Sequence, residues 1–416
     1  MKILFIHKQV LLPHNTGGKI RALNVLRHLA RSHDVTYLCN LRPGEEASVT
    51  AMQELGMRVE TTPARESKRG SVRFYMDLLA NLASPRPFTI DRNFDPSLLE
   101  RATRLHAKEK FDIIICDCVQ MARHTETLQG AAKVLFQHNV EAQILRRYSE
   151  NSKGPLAAYM ALQYKKMIRF ESKVGSQFDA VIAISEPDKA IFEKDYGWQH
   201  VTAIDTAVDV EYFRPDAVPG TEQDDRVVFV GSMDWLPNQQ GVCYFVREVW
   251  PKIRAKRPNA TLQIVGRHPT ADILSFHEVD GVEVLGQVAD TRLYLVEAAV
   301  SVVPILVGGG TRLKIFEAMA MRKAVVSTTI GAEGLPVIPG EHIILADTAD
   351  AFAAEVLGLL DNPERRMAIA QASHALVNQR FRSELVAQQF EEVCRKALQV
   401  RVRTHENQGK VATSQV

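Results

Sequence analysis

The chain has 416 residues, of which 46% are hydrophobic and 24% charged, with a net charge of +2. These values are ordinary for a globular protein with a large core, and the length predicts two or three folded domains. Five cysteines are too few and too odd in number for a disulfide framework, and no apolar run reaches the roughly 18 residues needed to cross a membrane.

The opening MKILFIHKQ has one lysine before four consecutive apolar residues, so it reads as a first strand (Ile3–His7) rather than a signal peptide. PHNTGG follows, then a helix over 19–31 with Ile20, Leu23, Leu26 and Ala30 on one side. Further strands are predicted at 34–39, 58–61, 111–117, 132–138 and 179–185, alternating with helical segments that include a long amphipathic one over 155–177. Cys116 and Cys118 read as packing residues, since no second pair completes a zinc site. Over 205–224 two prolines, a glycine and acidic residues mark a linker. The alternation restarts at 226–232, followed by a helix from about Asn238 and strands at 261–266, 282–288, 301–306, 324–328 and 342–347. A final helix over 383–400 is long enough to pack back on the first half, and the polar stretch 404–416 reads as a disordered tail. The expectation is an α/β protein with two doubly wound parallel sheets. Residues 1–207 form the first domain, 208–224 the linker and 225–382 the second domain. Ligands of such sheets sit at the carboxyl ends of the strands, here in a central cleft that both domains face.

Glycines fall at those ends: Gly17-Gly18 in the first half, and Gly231, Gly266, Gly286 and Gly308–Gly310 in the second. The last group opens GGGTRLKIFEAMAMRKAVVST, a strand–glycine–helix–strand arrangement. It has two readings: a tight turn, or a helix N-terminus holding a nucleotide diphosphate. In the second reading Gly310 to Arg312 present backbone N–H groups, and Arg312 and Lys314 are the candidate cations, with Lys314 preferred. Both are otherwise solvated helix charges. Glu317, an acid in an apolar face, suits a ribose diol. His138 ends a strand, where it either touches substrate or caps the next helix. Ser185 reads as an N-cap, and Asn238 as a cap or a ligand contact. Neither GxxxxGK[ST] nor GxGxxG follows a strand, which disfavours P-loop NTPases and dinucleotide dehydrogenases, and GxSxG and HExxH are absent.

In this order the segments resemble the retaining glycosyltransferases of family 4, which have a two-Rossmann GT-B fold. The resemblance covers nearly the whole chain: Gly17-Gly18, HNVE at 138–141, AISE at 183–186, TAVD at 206–209, FVGS at 229–232, VLGQV at 284–288 and the Gly308–Thr328 stretch. It implies that Glu317 holds the nucleotide ribose, that Gly17-Gly18 lie near the diphosphate and acceptor, and that His138 contacts the donor sugar. Val288 falls where backbone groups recognise the base, and Ser232, Gly309, Gly310, Thr311, Arg312 and Lys314 fall in the donor-binding set. Two departures stand out. Gly309 occupies the position of a sugar-contacting Glu, and Ser232-Met233 replace an Arg that commonly follows the first glycine of the second half.

The expected activity is transfer of a sugar from a nucleotide diphosphate sugar to an acceptor hydroxyl with retention, in polysaccharide, glycolipid or other glycoconjugate synthesis. His138 and Lys314 are the catalytic candidates, with no metal and no cofactor beyond the donor substrate. The alternatives are a nucleotide-sugar-binding protein that has lost transfer, as Gly309 suggests, and a nucleotide-sugar epimerase on the same fold. Expected partners are the nucleotide sugar and a saccharide or lipid-linked acceptor, without nucleic acid, in the cytoplasm. Residues 1–207 carry 29 Lys+Arg against 23 Asp+Glu, or +6, leaving 22 against 26, or −4. The basic surface (Arg65, Lys68, Arg69, Arg73, Arg146, Arg147, Lys165, Lys166 and Arg169) is therefore either solvated or a peripheral contact with the inner face of a membrane.

Overall fold

A computed structural model describes residues 1–13, 16–64, 70–307 and 312–413, with side chains as far as residue 402. It divides the chain into two compact units, Met1–Asp205 with Val386–Val416, and Thr206–Leu385.

The first unit is built on seven strands: β1 (Lys2–Gln9), β2 (Asp34–Leu41), β3 (Arg58–Pro63), β4 (Ile113–Asp117), β5 (Ala132–Phe136), β6 (Ala180–Ala183) and β7 (Val201–Ala203). They pair in parallel in the order β3-β2-β1-β4-β5-β6-β7. Runs such as Ile113-Ile114-Ile115-Cys116 are apolar on both faces because helices cover both faces, and all four residues are fully buried. β7 escaped the sequence reading because three residues are too few to show a period.

The second unit has β8 (Gln223–Val230), β9 (Thr261–Val265), β10 (Val282–Gly286), β11 (Ala298–Val303), β12 (Ala324–Ser327) and β13 (Ile344–Leu345). Their order is β10-β9-β8-β11-β12-β13, again parallel. One core packs Phe245, Trp250 and Phe352 against this sheet, and a second packs Ile315, Phe316, Met319 and Phe381.

Several segments differ from the sequence reading. β11 lies three residues earlier than predicted and stops at Val303, because Pro304 has no N–H to continue a ladder. The 208–224 segment belongs to the second unit, where Val208 and Val210 enter the core and Glu222 pairs with Lys323 and Arg366. The last helix runs Ser383–Thr413 rather than stopping at 400, with no proline in that stretch to end it.

Both sheets reverse their strand order once, between β1 and β4 and between β8 and β11. A crevice opens at the carboxyl end of such a reversal because the flanking connections run to opposite faces of the sheet.

Candidate active site

In the second unit, the helix Leu313–Ala320 follows β11 and brings Lys314 back over the end of β8. Its Nζ donates to Asn238 Oδ1 (2.6 Å), Asn238 Nδ2 donates to the Ser232 carbonyl (2.6 Å), and the amine sits 4.5 Å from the centre of the Phe229 ring. Gly231 lies directly against this pair: a Cβ there would lie 2.4 Å from Lys314 Nζ and 2.9 Å from Asn238 Nδ2, so both side chains would have to shift. Gly266 is constrained more severely, since its Cβ would meet the Gly231 carbonyl at 1.8 Å. The two glycines thus let the ends of β8 and β9 close up beneath the lysine. Glu317, one turn further along the same helix, stands among the buried Ile315, Phe316, Ala318 and Met319.

Burial dominates both charges, although each residue keeps part of its surface accessible. It draws the Lys314 amine down to about 7, helped by Arg312 and opposed by Glu317. It pushes the Glu317 carboxyl up to about 7, opposed by Lys314. A cation and an acid, both near their titration points, therefore share one helix turn at the β8/β11 reversal. Arg312 is buried as the residue that starts this helix, with its guanidinium 4.8 Å from the Trp235 ring centre. It lies outside the helical turns, and its charge acts on that of Lys314. At the rim, Arg267 Nε reaches Asp234 Oδ2 (2.7 Å) and donates to Ser232 Oγ (3.1 Å), while His268 Nδ1 meets Asp234 Oδ1 (2.6 Å).

In the first unit, Asp117 ends β4 fully buried between two imidazoles. His138 Nε2 donates to its Oδ1 (2.6 Å), and His7 Nε2, from β1, is 3.2 Å from its Oδ2. Burial lowers the His7 pKa against the pull of Asp117, and His7 Nδ1 lies 2.7 Å from the Gln9 carbonyl and 2.8 Å from the Tyr37 hydroxyl. His138 Nδ1 is buried without a hydrogen-bond partner among the described residues. Its Cδ2 lies 4.0 Å from where a Gly18 Cβ would be, so the ring faces the N-terminus of the helix Gly17–Ser32. Asp117, Cys118 and His138 place their ligand atoms within 4.8 Å of one another. Burial and then Asp117 hold the Cys118 thiol well above its usual pKa, which disfavours the thiolate a metal needs.

Each unit thus carries buried charge at the mouth of its own strand-order reversal. A model described as Glycosyltransferase Family 4 matches residues 16–212, and one described as Glycosyl transferases group 1 matches residues 224–362. The chain belongs to the group 1 glycosyltransferases. Among curated relatives, this glycosyltransferase is 23% identical over 408 residues to an uncharacterized 44.6 kDa protein in the cps region of Klebsiella pneumoniae, covering 92% of this chain and 97% of that one. It is 26% identical over 216 residues to the lipopolysaccharide core biosynthesis mannosyltransferase LpcC of Rhizobium leguminosarum bv. viciae, covering 48% of this chain and 59% of that one. Its fold matches HepE of Anabaena, solved in complex with UDP and glucose, with a TM-score of 0.64 at 17% identity over 94% of this chain and 98% of that one. The fold is therefore GT-B, with two Rossmann-like units.

Within this glycosyltransferase, Ser232, Arg312, Lys314 and Glu317 gather at the second reversal, and Gly17, Gly18 and His138 gather at the first. Gly17 and Gly18 are the opening residues of a helix, two positions before the predicted start. Val288 lies beyond β10 and packs partly buried against the core. Gly309, Gly310 and Thr311 lie outside the described residues, as do Arg65, Lys68 and Arg69. Lys166 is buried and donates to the Asn81 carbonyl (2.6 Å), so it drops out of the basic surface. Asn238 is not the cap, since Trp235 occupies the position before that helix; it accepts from Lys314 instead. Ser185 caps its helix by accepting from the Asp188 amide (3.2 Å). The sequence reading missed His7, Asp117 and Arg267. Asp117 closes a strand and so had the same signal as His138, whereas His7 and Arg267 gain meaning only through their partners.

Proposed function

We propose that this glycosyltransferase binds a nucleoside diphosphate sugar at the β8/β11 reversal and transfers the sugar, with retention, to an acceptor hydroxyl. The observation that carries the reading is the buried Lys314 amine, held by Asn238 over Gly231, with Glu317 one turn along the same helix. A diphosphate beside that amine restores its full charge, and a charge-assisted contact of this kind contributes about 1.5–3 kcal/mol. Glu317 accepts from the two ribose hydroxyls. As the bond from the anomeric carbon to the phosphate oxygen breaks, Lys314 and Arg312 stabilise the negative charge on the leaving diphosphate. The acceptor oxygen bonds to the same face of the sugar, and its proton passes to the departing phosphate oxygen. In the first unit, His138 contacts the transferring sugar, oriented by Asp117. The reaction uses no metal and no cofactor other than the donor.

Relatives named for a cps region and for lipopolysaccharide core biosynthesis favour a role in polysaccharide or glycolipid assembly. The neighbour solved with UDP makes uridine nucleotides the first donors to try. The test is to incubate the full chain with a panel of UDP- and GDP-sugars and bacterial glycolipid extracts, following nucleotide release and the anomeric configuration of the product by NMR. Nucleotide release that requires acceptor, gives a retained linkage and disappears in Glu317→Ala supports the reading. An inverted product, or an isomerised sugar formed without acceptor, overturns it.

A further inference from the structure

The helix Val72–Leu82 of the first unit presents an apolar face outward. Val72, Tyr75, Met76, Leu79 and Leu82 are 77%, 57%, 63%, 64% and 47% exposed. Their spacing of three, four, seven and ten residues from the first gathers them into one stripe about 120° wide. The helix is firmly seated on its opposite side. Asn81 is buried, donates to the Arg86 carbonyl (3.0 Å) and Asp91 Oδ2 (2.9 Å), and accepts from Gln163 Nε2 (3.0 Å). A surface helix normally turns such a stripe inward, so a contiguous exposed one points to an apolar partner.

A third side of the same helix, bearing Arg73, Asp77 and Ala80, walls a cavity of about 510 Å³. Five cations line it (Lys8, Arg42, Arg73, Arg86 and Arg92) against three carboxylates. Asp91 pairs with Arg86 (2.6 Å) and accepts from Ser84 (2.6 Å), and Asp95 accepts from Asn40 Nδ2 (2.6 Å) and Ser97. The cavity walls are therefore net positive. They extend to Gln9, whose carbonyl accepts from the Tyr37 hydroxyl (2.6 Å) beside the His7–Asp117–His138 group.

We propose that the Val72–Leu82 helix lies in the headgroup layer of an anionic bilayer, and that the adjacent cavity takes the anionic headgroup of a lipid. An apolar stripe flanked by cations is what an interfacial helix presents to such a surface: the stripe enters the acyl boundary and the cations meet the negative headgroups. The placement of the cavity beside the histidines makes a lipid carrying that headgroup the acceptor. That last step rests on the transfer proposed above, whereas the membrane contact does not.

The test is co-sedimentation of the full chain with vesicles of phosphatidylcholine alone and of phosphatidylcholine and phosphatidylglycerol in equal parts. The wild type is expected to bind the mixed vesicles at least tenfold more strongly, with salt weakening the binding. Met76→Asp/Leu79→Asp is expected to lose at least tenfold, and Arg73→Glu several-fold, while both keep the wild-type circular dichroism and UDP binding. Equal binding to the two vesicle types, or variants that bind as the wild type does, would overturn the proposal. So would a dimer in solution that the stripe substitutions dissociate, since a second copy would then be what covers the stripe. UDP binding reads the donor site separately, so its loss would count against the proposed transfer and not against the membrane contact.

Discussion

Burial shifts Lys314 and Glu317 in opposite directions toward the same pH, and this gives donor binding a defined pH profile. Lys314 must be charged to hold a diphosphate, and burial has drawn its amine down to about 7. Glu317 must be ionised to accept from a ribose, and burial has pushed its carboxyl up to about 7. Affinity for a nucleoside diphosphate is therefore expected to peak near neutrality and fall on both sides, up to about tenfold per pH unit. Glu317→Gln removes the acid limb and Lys314→Met the alkaline limb, as measured by titration calorimetry across the range. A flat profile in the wild type would contradict the assignment. The same shift has a stability consequence. With a folded-state pKa lowered from 10.5, Lys314 costs stability below about pH 7, and the cost is relieved as pH rises toward 10.5. Lys314→Met is accordingly expected to melt at a higher temperature than the unliganded wild type at pH 6, while binding nucleotide more weakly.

Among the elements, the helix Glu141–Asn151 after β5 depends on one acid from elsewhere in the chain. Glu171, fully buried in the helix Gly154–Gly175, accepts from the amides of Glu141 (3.1 Å) and Ala142 (3.2 Å), from Gln137 Nε2 (2.9 Å) and from the Tyr196 hydroxyl (2.8 Å). Burial, with Glu141 next, raises its carboxyl to about 8, while four donors and a helix N-terminus favour the anion. Glu171→Gln turns an amide N–H₂ toward those donors and is expected to cost about 1–3 kcal/mol in chemical denaturation, with Glu171→Ala costing at least as much. A change within about 0.5 kcal/mol would show that the cap contributes little.

These elements also show what a sequence can and cannot display. The strands were legible because sheets covered on both faces require unbroken β-branched runs, as in Ile113–Ile115. The strand before Pro304 was misplaced because Ala298-Ala299 look helical and only the ladder registers them. His138, Lys314 and Glu317 were legible from their places after strands or within an apolar helix face. The hold of Asn238 on Lys314 spans 76 residues, and the approach of His7 to Asp117 joins two strands that are far apart in the chain. Neither contact leaves a local period or spacing, so neither could be read before the fold was known.

Across the whole molecule, the family assignment and the two sheet topologies agree. Each unit reverses its strand order once, and each reversal carries a buried polar group: His7–Asp117–His138 in one unit and Lys314–Asn238 with Glu317 in the other. Among the described residues no helix is long and apolar enough to cross a membrane. The membrane contact proposed above rests instead on the exposed stripe of Val72–Leu82. Every step of the proposed transfer requires the donor to occupy the second of these reversals. Titration of the full chain with UDP, GDP and their sugars at neutral pH tests this directly. At least one of them is expected to bind the wild type, and Lys314→Met is expected to bind it about ten- to a hundredfold more weakly with an unchanged circular dichroism spectrum. Wild-type affinity in Lys314→Met, or no nucleotide bound by the wild type, would contradict it.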